Sequence, residues 1–261
     1  MFVQRVDNRR YFGPMLVGLI VLAWVMLIAW GESPYGRFLD HGEFGEVDLG
    51  LNAKSLGLMA LFVGGWTLMT FAMMLPTSLP LIDMFKRMTV KREDAGLLLG
   101  LLITGYLLTW TAFGVVALFG DRLIHGAAAE SAWLDENAYV IGGVTLMVAG
   151  LYQFTPLKYM CLDKCRSPMM FITGRWSGTN QRVSALRLGI DHGIFCVGCC
   201  WSLMLLIFVV GVGNVGWMLI LGAIMAVEKN VSWGKQLSAP LGASLAIGGL
   251  AILTLGAAGV A

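Results

Sequence analysis

Apolar residues run along this chain in long blocks, with the charged residues gathered between them. Seven blocks can be marked, at residues 14–30, 56–82, 96–119, 138–156, 188–210, 214–233 and 240–259. Inside them hydrophobicity is nearly continuous and does not alternate, and Gly and Pro occur freely. A membrane-spanning helix needs about 20 apolar residues and satisfies its own backbone, whereas a barrel strand would alternate in polarity over about ten. The pattern therefore predicts an all-α fold, a polytopic membrane helix bundle of about seven transmembrane helices, in a single domain spanning residues 1–261. The first block is followed by Trp30-Gly31-Glu32-Ser33-Pro34, without a small-x-small cleavage pattern, and is expected to stay as an anchor.

Composition excludes a soluble domain. Of 261 residues, 57% are hydrophobic and 13% charged, against about 25% charged in an ordinary globular chain, and the mean hydropathy is +0.76. The net charge of +2 carries little information, but its distribution does. Fifteen of the eighteen Lys and Arg fall before the first block, in 83–95, in 157–187 and near 229–235, leaving Arg37, Lys54 and Arg122 for the other connections. Basic residues concentrate on the cytoplasmic side of a membrane protein, so the N-terminus is expected in the cytoplasm and the C-terminus outside. The acidic residues of 31–55 and 120–137 agree with outer loops, and His41, in Asp40-His41-Gly42-Glu43, is expected to face solvent there.

The fifth block carries the densest chemistry. Asp191, His192, Cys196, Cys199, Cys200 and Met204 lie within fourteen residues. Steps of three and four residues place 192, 196, 199 and 200 on one helix face. Thiolate and thioether sulfur select soft ions such as Cu(I), and mixed thiol and imidazole sets also suit zinc. The second block, with Met69, Met73, Met74 and Pro76, is the natural donor of further ligands. Counting from the cytoplasmic ends, Met74 and Cys196 are each eight residues in, about 12 Å deep, and His192 falls at the level of Ser78. Core packing is the alternative for the cysteines and methionines, both of which fill small gaps well. Asp191 and His192 are costly inside lipid unless they reach a polar interior or the interface.

Cys161 and Cys165 form a C-x3-C pair among Lys158, Lys164 and Arg166, a candidate secondary site or redox pair if that connection is helical. Asp191 and Glu228 are candidates for a charged gate or anchor, and Glu228-Lys229, near the cytoplasmic end of the sixth block, also reads as side chains reaching the interface. In the last block Gly242, Ala246 and Gly249 form a small-residue face suited to close helix packing. No nucleotide-binding loop, H-E-x-x-H, nucleophile elbow or haem attachment motif is present, and no aromatic-basic pattern points to nucleic acid. Neither nucleotide nor nucleic acid is expected as a partner.

Three ordered motifs resemble a bacterial family of predicted metal-binding integral membrane proteins of unknown function. They are Trp66 to Pro80 with its Ala72-Met73-Met74-Leu75-Pro76 core; Gln153 to Lys158 continuing through Cys161, Cys165, Arg166 and Pro168; and His192-Gly193, Cys196, Gly198 to Trp201 and Met204, followed by Glu228-Lys229. The resemblance covers about residues 60–235. It implies a metal-associated, multi-pass protein of the bacterial inner membrane. Its motif positions include Met73, Met74, Cys161, Cys165, His192, Cys196, Cys199, Cys200 and Glu228.

The expectation is soft-metal handling, with Cu(I) favoured over zinc, by Cys196, Cys199 and Cys200 with His192, Met73 and Met74. The role would be transfer, storage or insertion into a metal-accepting partner protein. A membrane thiol-disulfide or metal-dependent oxidoreductase is the first alternative, and a non-catalytic subunit of a membrane complex is the second.

Overall fold

The computed structural model describes residues 18, 20–29, 53–176, 180–210 and 214–258. The described residues are helical throughout, joined by short turns. In chain order the helices are α1 (Ile20–Ala29), α2 (Ala53–Thr77), α3 (Leu79–Thr89), α4 (Ala95–Glu130), α5 (Ala132–Glu136), α6 (Tyr139–Tyr152), α7 (Pro156–Arg166), α8 (Pro168–Thr173), α9 (Gln181–Val210), α10 (Val215–Asn230) and α11 (Ser238–Ala257), with a 3-10 turn at Gly234–Leu237.

Four of these helices are long and apolar enough to cross a membrane, on α2, α4, α9 and α11, and the bent pair α6–α7 makes a fifth if it counts as one span. Among the described residues the count is thus four to five, against the seven expected. α10 has 16 residues, about 24 Å of helix, short of the roughly 30 Å hydrocarbon core. Of the block 14–30 only residue 18 and residues 20–29 are described, and the loop holding His41 lies outside the described residues. Other boundaries also move. α4 runs on to Glu130 and α5 follows, so most of the expected outer loop 120–137 is helical. The expected cytoplasmic connection 157–187 folds into α7 and α8 and the first turns of α9.

Local chemistry sets these breaks. Pro156 occupies the first turn of α7 and Thr155 caps it, its hydroxyl accepting from the Lys158 amide, while the chain bends by 63° between α6 and α7. α9 is the central helix and lies between α4 and α7. Gly189 and Gly105 let α9 and α4 meet backbone to backbone, at Leu102 and Leu186. On the opposite flank Gly198 faces Cys161 of α7, and a Cβ there would stand 2.6 Å from the sulfur. α6 and α11 pack through their small residues: a Cβ on Gly150 would stand 2.6 Å from the Ala246 amide and 2.7 Å from the Gly242 carbonyl. The small-residue face read in the last block is this contact.

A buried polar chain ties the ends of four helices to the body of α9. Lys158 of α7 is fully buried and pairs with Glu228 of α10 at 2.8 Å. It also donates to Gln153, whose amide donates to Ser202 of α9 at 3.2 Å. Ser238 of α11 donates to the same Glu228 carboxylate at 2.6 Å. Arg166 covers the end of α10 by donating to the carbonyls of Glu228, Val231 and Ser232, which a helix C-terminus leaves unpaired. Glu228 thus meets Lys158 and Ser238 with its carboxylate and Arg166 with its backbone carbonyl.

Candidate metal centre

The site forms where α2 ends against α9 and α10. Pro80 has no amide hydrogen and cannot continue the α2 ladder, and the Ser78 amide turns from the Met74 carbonyl to the Leu75 carbonyl at 3.0 Å. The Met74 carbonyl then collects side-chain donors: Thr77 at 2.8 Å, Ser78 at 3.4 Å and the Tyr106 hydroxyl of α4 at 3.2 Å. This broken turn carries Met74 into the interior, where its side chain is fully buried.

Opposite it, α9 presents Cys196 and Cys200, both buried. The Cys200 thiol lies 3.8 Å from Met74 Sδ and 2.9 Å from the Cys196 carbonyl. Cys196 Sγ is 3.0 Å from the Tyr106 hydroxyl and 2.9 Å from Lys229 Nζ. Lys229 also reaches Cys200 Sγ and Met74 Sδ, each at 3.8 Å, and Thr77 Oγ1 at 3.2 Å. Its side chain is buried and turned inward, so the reading of Lys229 as a side chain reaching for the interface is overturned.

The thiols of Cys199 and Cys200 both reach Cys196, yet they turn to different neighbours beyond it. Successive residues turn by about 100° in an α-helix, so Cys199 and Cys200 point in different directions. Cys199 faces α7, with its sulfur 4.0 Å from that of Cys165 and 3.1 Å from the Cys196 carbonyl. The C-x3-C segment is helical as its spacing allowed, but Cys161 and Cys165 each meet α9 separately, at Gly198 and Cys199. All five cysteines are free. Among the described residues no three His, Cys, Asp or Glu side chains are grouped so as to hold a metal. The soft set that does converge includes a thioether, Met74 Sδ with Cys196 Sγ and Cys200 Sγ.

His192 sits one turn from Cys196 toward α8. Its Nε2 is 3.2 Å from Ser78 Oγ, the level at which the sequence placed it. The ring stacks on Tyr106 at 5.6 Å and meets the edge of Phe171 at 5.5 Å, and its buried Nδ1 has no hydrogen-bond partner among the described residues. Met73, one residue from Met74, turns away toward Gly222 of α10 and stands outside the sulfur set. Asp191 is part-exposed and pairs with Arg175 at 3.0 Å, the guanidinium lying over the Phe171 ring at 4.4 Å. Sequence reasoning missed Tyr106 and the inward role of Lys229. A tyrosine in an apolar block and a lysine at a helix end carry no signal of direction.

The arrangement suits a soft cation. Sulfur donors are buried where water cannot compete, one hydroxyl bridges the α2 carbonyl and a thiol, and a second thiol pair adjoins the first through the Cys196 carbonyl. Comparison with curated proteins and with solved structures gives no match. The profile of the PpoB2 family, described as a copper chaperone, matches residues 63–252, from within α2 to within α11. That match takes in every element lining the sulfur set and more than half of the chain, and the chain belongs to the PpoB2 copper chaperone family.

Proposed function

We propose that this protein is a membrane-embedded Cu(I) carrier that receives the ion on Met74, Cys196 and Cys200 and passes it to an accepting protein. The observation that carries the reading is the convergence of one thioether and two thiols around a single buried point. Soft sulfur ligands favour Cu(I) over harder ions, and the family's description as a copper chaperone supports the same metal. Thiol ligation releases protons, so uptake is expected to weaken as pH falls. Cys165 and Cys199, 4.0 Å apart beside this set, are placed to take or give the ion by ligand exchange. His192 is a reserve ligand through its unpartnered Nδ1, while Met73 and Asp191 are assigned to packing and to the Arg175 pair.

The helices of membrane length support a multi-pass protein. With Lys and Arg concentrated near the α3, α7 and α8 end, the sulfur set falls in the half that faces the cytoplasm of a bacterial inner membrane. X-ray absorption at the copper edge of the Cu(I)-loaded protein tests the ligand set. An all-sulfur inner shell at about 2.3 Å is expected by analogy with other metal-thiolate bonds. A shell dominated by nitrogen or oxygen would contradict it.

The 4.0 Å contact of Cys165 with Cys199 also favours a second reading, a thiol-disulfide couple between α7 and α9. Counting free thiols before and after oxidant treatment separates the two, since a carrier alone keeps all five thiols free.

A further inference from the structure

The point on which the three sulfurs converge already holds a cation. Lys229 Nζ is 2.9 Å from Cys196 Sγ and 3.8 Å from both Cys200 Sγ and Met74 Sδ. Cys200 Sγ and Met74 Sδ are themselves 3.8 Å apart. Three sulfurs bound to one ion at about 2.3 Å would stand about 4 Å from one another, so the Cys200–Met74 spacing is that of two ligands on one soft ion. Burying an ammonium is expensive unless a counter-charge meets it. Lys158 has Glu228; among the described residues, the partners of Lys229 are these sulfurs and Thr77 Oγ1, with no carboxylate.

We propose that Lys229 is a built-in competitor for the ion: its ammonium holds the metal position in the metal-free protein, and a soft monovalent cation enters by displacing it. This inference rests on the sulfur set being the ion's site. A lysine has the means for such an exchange, a flexible four-carbon stem and a freely rotating ammonium. Thr77 Oγ1, 3.2 Å from Nζ, is the partner it keeps as it swings aside with its proton retained. Protons lost from the two thiols on ligation pass to water, and the same thiols recover them when the ion leaves. The swap puts one monovalent cation in place of another at the centre of the site, and the returning ammonium covers the sulfurs on departure. Such a site binds less tightly than its ligands alone would allow and releases faster, which suits delivery better than storage.

Competition with a chromogenic Cu(I) chelator, on the full-length protein in detergent, reads both affinity and release. Lys229→Leu, which removes the ammonium and adds no metal ligand, is expected to bind Cu(I) at least tenfold more tightly than wild type and to release it at least tenfold more slowly. Thr77→Val, which takes away the partner the displaced ammonium keeps, is expected to bind about threefold more weakly. Equal or weaker binding by Lys229→Leu, with wild type binding intact, overturns the competitor and leaves the sulfur site standing. Absence of Cu(I) binding in wild type overturns both. If Lys229→Leu yields no folded protein, Thr77→Val decides, and unchanged or tighter binding there overturns the competitor.

Discussion

Lys158 and Lys229 lie buried on either side of Glu228, and their surroundings differ in kind. Lys158 meets a carboxylate at 2.8 Å and the Gln153 carbonyl oxygen, in a chain that Ser202 and Ser238 complete. Lys229, one residue further along α10, meets two thiols, a thioether and one hydroxyl. The first neighbourhood is closed: every donor has a hard oxygen acceptor, and there is nothing for a soft ion to bind. The second leaves a positive charge among soft, polarisable atoms that would bind a metal better than they bind an ammonium. A buried charge that is fully answered marks structure here, and the one that is incompletely answered is where we propose that a ligand is exchanged.

The contrast can be broken most forcefully at Glu228. Glu228→Ala strands the Lys158 ammonium in the interior and is expected to cost about 3–5 kcal/mol, the usual penalty for removing one partner of a buried pair. Thermal unfolding in detergent checks this, and the double change Lys158→Met with Glu228→Leu should recover most of the loss, because well-packed apolar replacements of buried pairs are often neutral. Gly198→Ala should cost about 1–3 kcal/mol by overpacking, since its methyl would stand 2.6 Å from Cys161 Sγ and push α7 from α9. The same variant should loosen the Cys165–Cys199 contact, which faster labelling of these thiols by a maleimide would report. Asp191→Asn breaks a pair whose side chains are 30% and 29% exposed, so its effect on stability should stay below about 1 kcal/mol. Copper stoichiometry in that variant should equal wild type.

Much of the site could be read from the sequence, for reasons that locate what could not. Regular helices fix depth, and depth put Met74 level with Cys196 and His192 level with Ser78; in the structure Met74 Sδ is 3.8 Å from Cys200, one turn beyond Cys196, and His192 is 3.2 Å from Ser78. Rotation about the helix was read too coarsely, since steps of three and of four residues share a broad face but send Cys199 and Cys200 to different neighbours. The small residues Gly242, Ala246 and Gly249 announced a helix contact, and α6 meets them. The fate of Lys229 was hidden because hydropathy weighs a charged residue at a helix end by its cost and says nothing of where its stem points. The count of spans was hidden for a related reason: block 214–233 is apolar enough to be read as a span, yet its helix ends at Asn230, with Arg166 held on its last carbonyls.

The most direct measurement is the copper content of the purified, Cu(I)-loaded protein, with wild type, Cys196→Ser/Cys200→Ser and Cys161→Ser side by side. Near-stoichiometric copper in wild type and in Cys161→Ser, lost from the double variant, is the predicted result. Full copper in the double variant would contradict a site built on Met74, Cys196 and Cys200.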